Sequence, residues 1–139
     1  MSQWTHVCAT FRIDALDRVL SNDTIESVIG KPIGFCEFVE EGVKYLPKGS
    51  EGSLKYELIE NPDKGTVAAY VLVVYGDLRD YDNIDEIELW FRKGACSFSL
   101  LRQAVCTVEV ENRETFVIAT VPRNYGVEFR RIIISRKEE

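Results

Sequence analysis

The stretch "TVAAYVLVVYG" from Thr66 to Gly76 constrains this chain more than any other, because its apolar residues fall on both parities. A run of β-branched and aromatic residues of this length reads as a strand, and strand side chains alternate between the two faces of a sheet. A strand that is apolar on both faces is covered on both sides. Val67–Tyr75 is therefore expected inside a sheet, its second face covered by the long loop upstream or by another subunit. The preceding "SLKYELIE" puts Leu54, Tyr56 and Leu58 on one face and Lys55, Glu57 and Ile59 on the other. "NPDKG" between the two runs suits a turn, so they read as a hairpin.

The rest of the chain arranges itself around that hairpin. From Thr5 to Ile13 the residues alternate, with Val7, Ala9, Phe11 and Ile13 facing a core and Trp4, His6, Cys8, Thr10 and Arg12 on a second, mixed face. Between Asp14 and Gly30 the spacing turns helical. "SNDT" interrupts it with capping residues, so a late-starting short helix or two broken pieces are expected, with Gly30 in a left-handed C-terminal position. Pro32, Pro47 and four glycines break up residues 31–53 into an irregular excursion with one short strand near Phe35–Val39. "DNIDEIELWFRKG" carries Ile84, Ile87 and Phe91 at helical spacing, with Asp82 or Asn83 as the cap and Gly94 as the end. Three strand-like runs follow, "LLRQAVCTVEVEN", "RETFVIATVP" and "GVEFRRIIIS", with turns at Asn112 and at Asn124 to Gly126. Whether the last of them extends the same sheet or reaches to a neighbouring subunit stays open. The first six elements give β-α-β-β-α-β, the order of an α+β ferredoxin-like sandwich, an antiparallel sheet with two helices on one face, here with extra C-terminal strands.

Length and charge narrow the function classes. The chain has 139 residues, the size of one domain spanning residues 1–139, and its 45% apolar content is enough to build one core. A formal net charge of −6 repels phosphate backbones and anionic membrane surfaces, which argues against nucleic-acid and membrane partners. Basic residues gather only near the C-terminus, at Arg130, Arg131, Arg136 and Lys137, where Glu128, Glu138 and Glu139 dilute them. Cys8, Cys36, Cys96 and Cys106 form no C-x-x-C pair and read as reduced thiols. With neither a leader-like start nor a membrane-length apolar run, a soluble cytoplasmic protein is expected.

Four features bear on chemistry. Asp77, Asp80 and Asp82 in "YGDLRDYDN" follow a buried strand and precede a helix, where a hard cation could be held by carboxylates. The calcium-loop spacing is absent and Arg79 stands among the acids. In a purely structural reading Gly76 turns the chain, Asp82 caps the helix, Arg79 pairs with Asp77 or Asp80, and Leu78 and Tyr81 anchor the turn. "KGSEGS" presents Gly49, Ser50, Glu51, Gly52 and Ser53, either a loop tip or backbone N–H groups for an anion, without phosphate-loop spacing. His6 is the single histidine, and Cys8 two residues on stands about 6–7 Å away along a strand, too far for a direct hydrogen bond. Trp4, Tyr56, Tyr70 and Phe98 could form a base-stacking platform, but the RNA-binding signature is absent and core packing is the expectation. The ligand-binding candidates are Trp4, His6, Arg12, Gly49–Ser53, Asp77, Arg79 and Asp80. No catalytic set, resident metal or cofactor is expected.

"WTHVCATFRID", "GSEGSLKY" and "YGDLRDYDNIDEIELWF" together resemble segments of small uncharacterised α+β proteins encoded by bacteriophages and prophages of gut bacteria. The resemblance covers about a quarter of the chain and carries no established activity. It implies a setting in which small acidic proteins act by binding. The expected function is thus a non-enzymatic accessory binding protein, homo-oligomeric, that engages a host protein or a small ligand, as an inhibitor of host defence for example. The alternatives are a metal-dependent phosphodiester hydrolase built on Asp77, Asp80 and Asp82, and an RNA-binding module.

Overall fold

The computed structural model describes residues 2–16, 22–34, 37–60, 67–81, 83–98, 100–121 and 127–134. Among them one antiparallel sheet holds six strands. Its spatial order is β2 (Lys55–Glu60), β3 (Val67–Arg79), β1 (Trp4–Leu16), β4 (Leu101–Val110), β5 (Thr115–Val121) and β6 (Glu128–Ile134). Two helices, α1 (Asn22–Ile29) and α2 (Ile84–Ser97), follow β1 and β3, so the chain is α+β with strand predominating. β3 lies between β1 and β2, and β1 between β3 and β4, so each helical crossover skips one strand.

The parity read from the sequence fixes the core. Ala9 stands opposite Val74 and Cys106, and Phe11 opposite Leu72 and Ala104, and all six are buried. The helices complete this side. The Phe11 ring meets Trp90, Phe91 and Phe98 at centroid distances of 6.3, 5.4 and 5.6 Å. Trp90 Nε1 donates to the Ile29 carbonyl at 2.8 Å and so ties α2 to the end of α1 while satisfying a buried donor. Burying a side chain of this size stabilises the fold by about 1.5–3 kcal/mol.

β6 is an edge strand with little burial, and it is held by a different device. Arg92 of α2 lies over the Phe129 ring at 5.1 Å and Arg131 lies over Phe116 at 4.4 Å, while Arg131 also reaches Asp85 and Glu88 at 3.6 Å each. The last strand therefore extends the same sheet, paired with β5.

Several boundaries differ from expectation for physical reasons. α1 covers Asn22–Ile29, residues 17–21 ahead of it lie outside the described residues, and Gly30 beyond it has φ +108°. α2 runs through Gly94 to Ser97, because Gly94 is buried and faces the Phe11 ring and Ile29, where a small residue lets helix and sheet approach. Asn83 accepts from the Glu86 backbone N–H as the cap, while Asp82 lies outside the described residues. Residues 37–39 are not strand, and residues 35 and 36 lie outside the description, as do "NPDKG" and the turn at Asn124 to Gly126. Asn112, with φ +62°, does turn β4 into β5. The loop upstream of β2 sends Leu46 and Leu54 into the same core cluster as the helices, so it leaves the second face of β3 without the expected cover.

Candidate functional site on the open sheet face

Even-numbered residues of β1 point away from the helices, and the strand register places their neighbours. Cys8 stands beside Tyr75 and Thr107, with Lys55 and Val117 next in line and Ile132 beyond. Thr10 stands beside Val73 and Val105, flanked by Glu57, Ala119 and Arg130. Arg12 lies between Val71 and Gln103. None of the described residues on this face is buried, and Ile59, Ile132 and Ile134 are more than half exposed. The run that looked doubly apolar in sequence therefore has one face in the core and one half open.

At one end of this face the sheet assembles a charged cluster. His6 is directly opposite Asp77 on β3 and Glu109 on β4. Its Nδ1 lies 2.5 Å from Asp77 Oδ1, and its Nε2 lies 3.8 Å from Glu111 Oε2. The hydrogen bond to Asp77, followed by the charges of Asp77, Glu109 and Glu111, raises the His6 pKa above its ordinary 6.5 against the opposing effect of partial burial. Glu111 also accepts from the Trp4 backbone N–H at 2.9 Å, which fixes the carboxylate beside the imidazole. Glu109 and Glu111 were missed by sequence reasoning. Alternation along "TVEVEN" turns them away from the face of Val108 and Val110, but only the register of β4 against β1 brings them to His6.

The "KGSEGS" loop joins the same end. β3 continues to Arg79, so Gly76, Asp77 and Leu78 are strand residues and not a turn before the helix. The loop folds alongside them: Ser50 N–H donates to the Arg79 carbonyl at 3.0 Å, and Arg79 N–H donates to the Glu51 carbonyl at 2.9 Å. Gly52, with φ +77°, is pressed against the Asp77 carbonyl, which an added Cβ would meet well inside van der Waals contact, so no side chain fits there. Gly49 is not among the positive-φ residues, and its constraint is the close passage of the Arg79 backbone. Gly76 does not turn the chain; it lies where a side chain would meet the Ser53 carbonyl at 2.6 Å.

The electrostatic reading of the aspartates changes accordingly. Arg79 pairs with Glu51 at 2.9 Å, approaches Asp80 at 3.7 Å, and donates to the Ser2 hydroxyl at 2.8 and 2.6 Å. Asp77 pairs with His6 and not with Arg79. Asp80 receives the Gln3 backbone N–H at 3.1 Å and donates its own N–H to the Gln3 carbonyl at 2.6 Å, with φ +52°. The N–H groups of Gly49 and Ser50 are taken by the Gly52 and Arg79 carbonyls, so they do not point at an anion. Thr5, buried below, donates its hydroxyl to the Tyr81 carbonyl. Leu78 and Tyr81 do anchor this region, Leu78 fully buried and Tyr81 packed against the core.

The structure thus gathers Trp4, His6, Gly49–Ser53, Asp77, Arg79 and Asp80 at one end of the sheet. Arg12 is not with them; six residues farther along β1, it stands roughly 20 Å from His6. Tyr56, Tyr70 and Phe98 belong to the helix side, so they form no platform with Trp4. Tyr56 donates to Glu26, and burial together with that contact pushes its pKa up to about 12. A cleft of about 420 Å³ opens beside Glu109 and Glu111, lined also by Arg113, Thr115 and Ile134. Among the described residues no three His, Cys, Asp or Glu side chains converge as a metal site. No helix among them is long and apolar enough to cross a membrane. Comparison of the chain with protein-family models, with curated proteins and with solved structures returns no match.

Proposed function

We propose that this chain is a non-enzymatic accessory binding protein that works by laying the open face of its sheet on a protein partner. The observation that carries this reading is the contrast between the two faces. One is closed by both helices, while the other presents Val71, Val73, Val105, Val117 and Ala119 partly exposed and Ile132 more than half exposed. Contiguous exposed apolar area on this scale is costly in a monomer and marks interaction surfaces. The resemblance of three of its segments to phage proteins supports, in this reading, a setting inside a bacterial host, with a host protein as one class of target. The strand order β2-β3-β1-β4 with two strand-skipping crossovers supports a ferredoxin-like core, to which β5 and β6 add a wider platform.

The rival chemistries draw less support. A phosphodiester hydrolase needs carboxylates free to hold a cation, whereas Asp77 is bonded to His6 and Asp80 to the Gln3 backbone. An RNA-binding sheet needs a row of exposed aromatic residues and positive potential, whereas Tyr56, Tyr70 and Phe98 lie on the helix side and the net charge is −6. The test is native mass spectrometry of the protein purified from its source cells, wild type beside Val105→Glu. A polypeptide retained by the wild type and lost by a folded Val105→Glu variant is the expected result. Equal behaviour of the two would remove the open face as the binding surface.

A further inference from the structure

We infer that the partner on the open face is a second copy of this chain, packed sheet to sheet about a two-fold axis that runs across the strands between Cys8 and Thr10. This rests on the reading of that face as a binding surface and names its occupant. Three features of the face carry it.

The first is size. Six strands spaced about 4.8 Å apart, with roughly ten residues of each facing outward or inward in turn, present on the order of 700 Å² per copy, close to the ~800 Å² per partner of a stable interface. The second is texture. The rows through Cys8 and Thr10 hold Val73, Val105, Thr107, Val117 and Ala119, with Tyr75 the one aromatic residue and the charged Lys55, Glu57 and Arg130 on the outer strands, so the middle strands let two sheets approach at the usual face-to-face spacing of about 10 Å.

The third is charge, which selects the axis. Asp77 and Glu109 flank His6 in one row, with Glu111 beside them, and Arg12 lies three rows away on the other side of the centre. A two-fold axis along the strands would set acids against acids. An axis across the strands reverses the second copy and brings its Arg12 over the Asp77–His6–Glu109 row, twice by symmetry. The same operation places Lys55, in line with Cys8, over Glu57 of the second copy, in line with Thr10. Lys55 and Glu57 then meet as opposite charges, and Arg12 stands over His6 with the Asp77 and Glu109 carboxylates on either side of it. The two Cys8 thiols then sit on either side of the axis, and Cys8 is exposed in the single chain.

The experiment is sedimentation equilibrium of wild type, Arg12→Glu and the charge-swapped Arg12→Glu/Glu109→Arg, together with cross-linking by a short bismaleimide. Arg12 and Glu109 are exposed, so these variants leave the core intact. The expected result is a wild-type dimer, weakened about tenfold or more by Arg12→Glu and restored by the double variant. Cross-linked dimer is expected through Cys8, unaffected by Cys96→Ser and abolished by Cys8→Ser. A monomer at high micromolar concentration overturns the inference, as does a dimer that ignores the charge swap or cross-links only through Cys96. If the wild type is monomeric yet retains a foreign chain that folded Val105→Glu loses, the binding face stands and only its occupant is wrong. If open-face variants alter nothing, both readings fall.

Discussion

His6 on β1 and Asp77 on β3 are directly opposed in the antiparallel register, with imidazole Nδ1 and carboxylate Oδ1 2.5 Å apart. Because His6 is the single histidine, its titration reports this contact without overlap. The contact raises its pKa, and the groups facing it are Asp77 on β3 with Glu109 and Glu111 from the β4 side. A raised folded-state pKa contributes stability that is fully present below the unfolded value of about 6.5 and is lost as pH rises through the folded value. Wild type is therefore expected to exceed His6→Gln in stability most clearly below about pH 6, the difference shrinking in mildly alkaline solution. Asp77→Asn is expected to lower the His6 pKa in an NMR titration. An unchanged midpoint in Asp77→Asn would show that the carboxylate does not set it.

Gly52 has a more local test. Its φ of +77° disfavours a side chain and its approach to the Asp77 carbonyl excludes one. Gly42 has a similar φ of +81° but open space around it. Gly42→Ala carries only the left-handed penalty, about 1–2 kcal/mol, whereas Gly52→Ala adds a steric clash with backbone and is expected to cost more. Urea denaturation of the two variants separates them. Equal losses would mean that the loop moves off β3 without penalty.

Much of this site was legible as pieces and not as a whole. The parity of β1 gave Val7, Ala9, Phe11 and Ile13 to the core and His6 to the other face, because alternation is local. The capped start and apolar stripe of α2 were readable for the same reason. The pairing of His6 with Asp77 and Glu109 was not, since register depends on strands about 70 and 100 residues away in the chain. Nor was the docking of Gly49–Ser53 on Arg79, which makes the acidic segment a strand bordered by a loop and not an exposed turn. Gly94 misled because a glycine near a helix end signals a cap, while here it faces Phe11 inside the helix.

Cysteine reactivity follows from burial. Burial above all pushes the Cys106 thiol up to about 12, whereas Cys8 and Cys96 are exposed. Iodoacetamide at neutral pH is expected to label Cys8 and Cys96 in the native monomer and leave Cys106 untouched, as read by peptide mapping. Labelling of Cys106 at a comparable rate would mean that the sheet opens between β1 and β4.

Gly94 supplies a prediction in the opposite sense from the other glycines. It lies in the interior of α2, where glycine is about 1 kcal/mol worse than alanine. An added methyl group would meet the Phe11 ring at 3.6 Å and Ile29 at 3.7 Å, ordinary contact distances. Nothing need move to admit it, and it adds buried apolar contact in the seam where α2, α1 and β1 converge. Gly94→Ala is expected to stabilise the protein by about 0.5–1 kcal/mol, with Gly94→Val reversing the gain because a branched side chain overfills the same space. Thermal and urea denaturation of the pair measure both. Loss of stability in Gly94→Ala would show that helix and sheet are already at their closest approach.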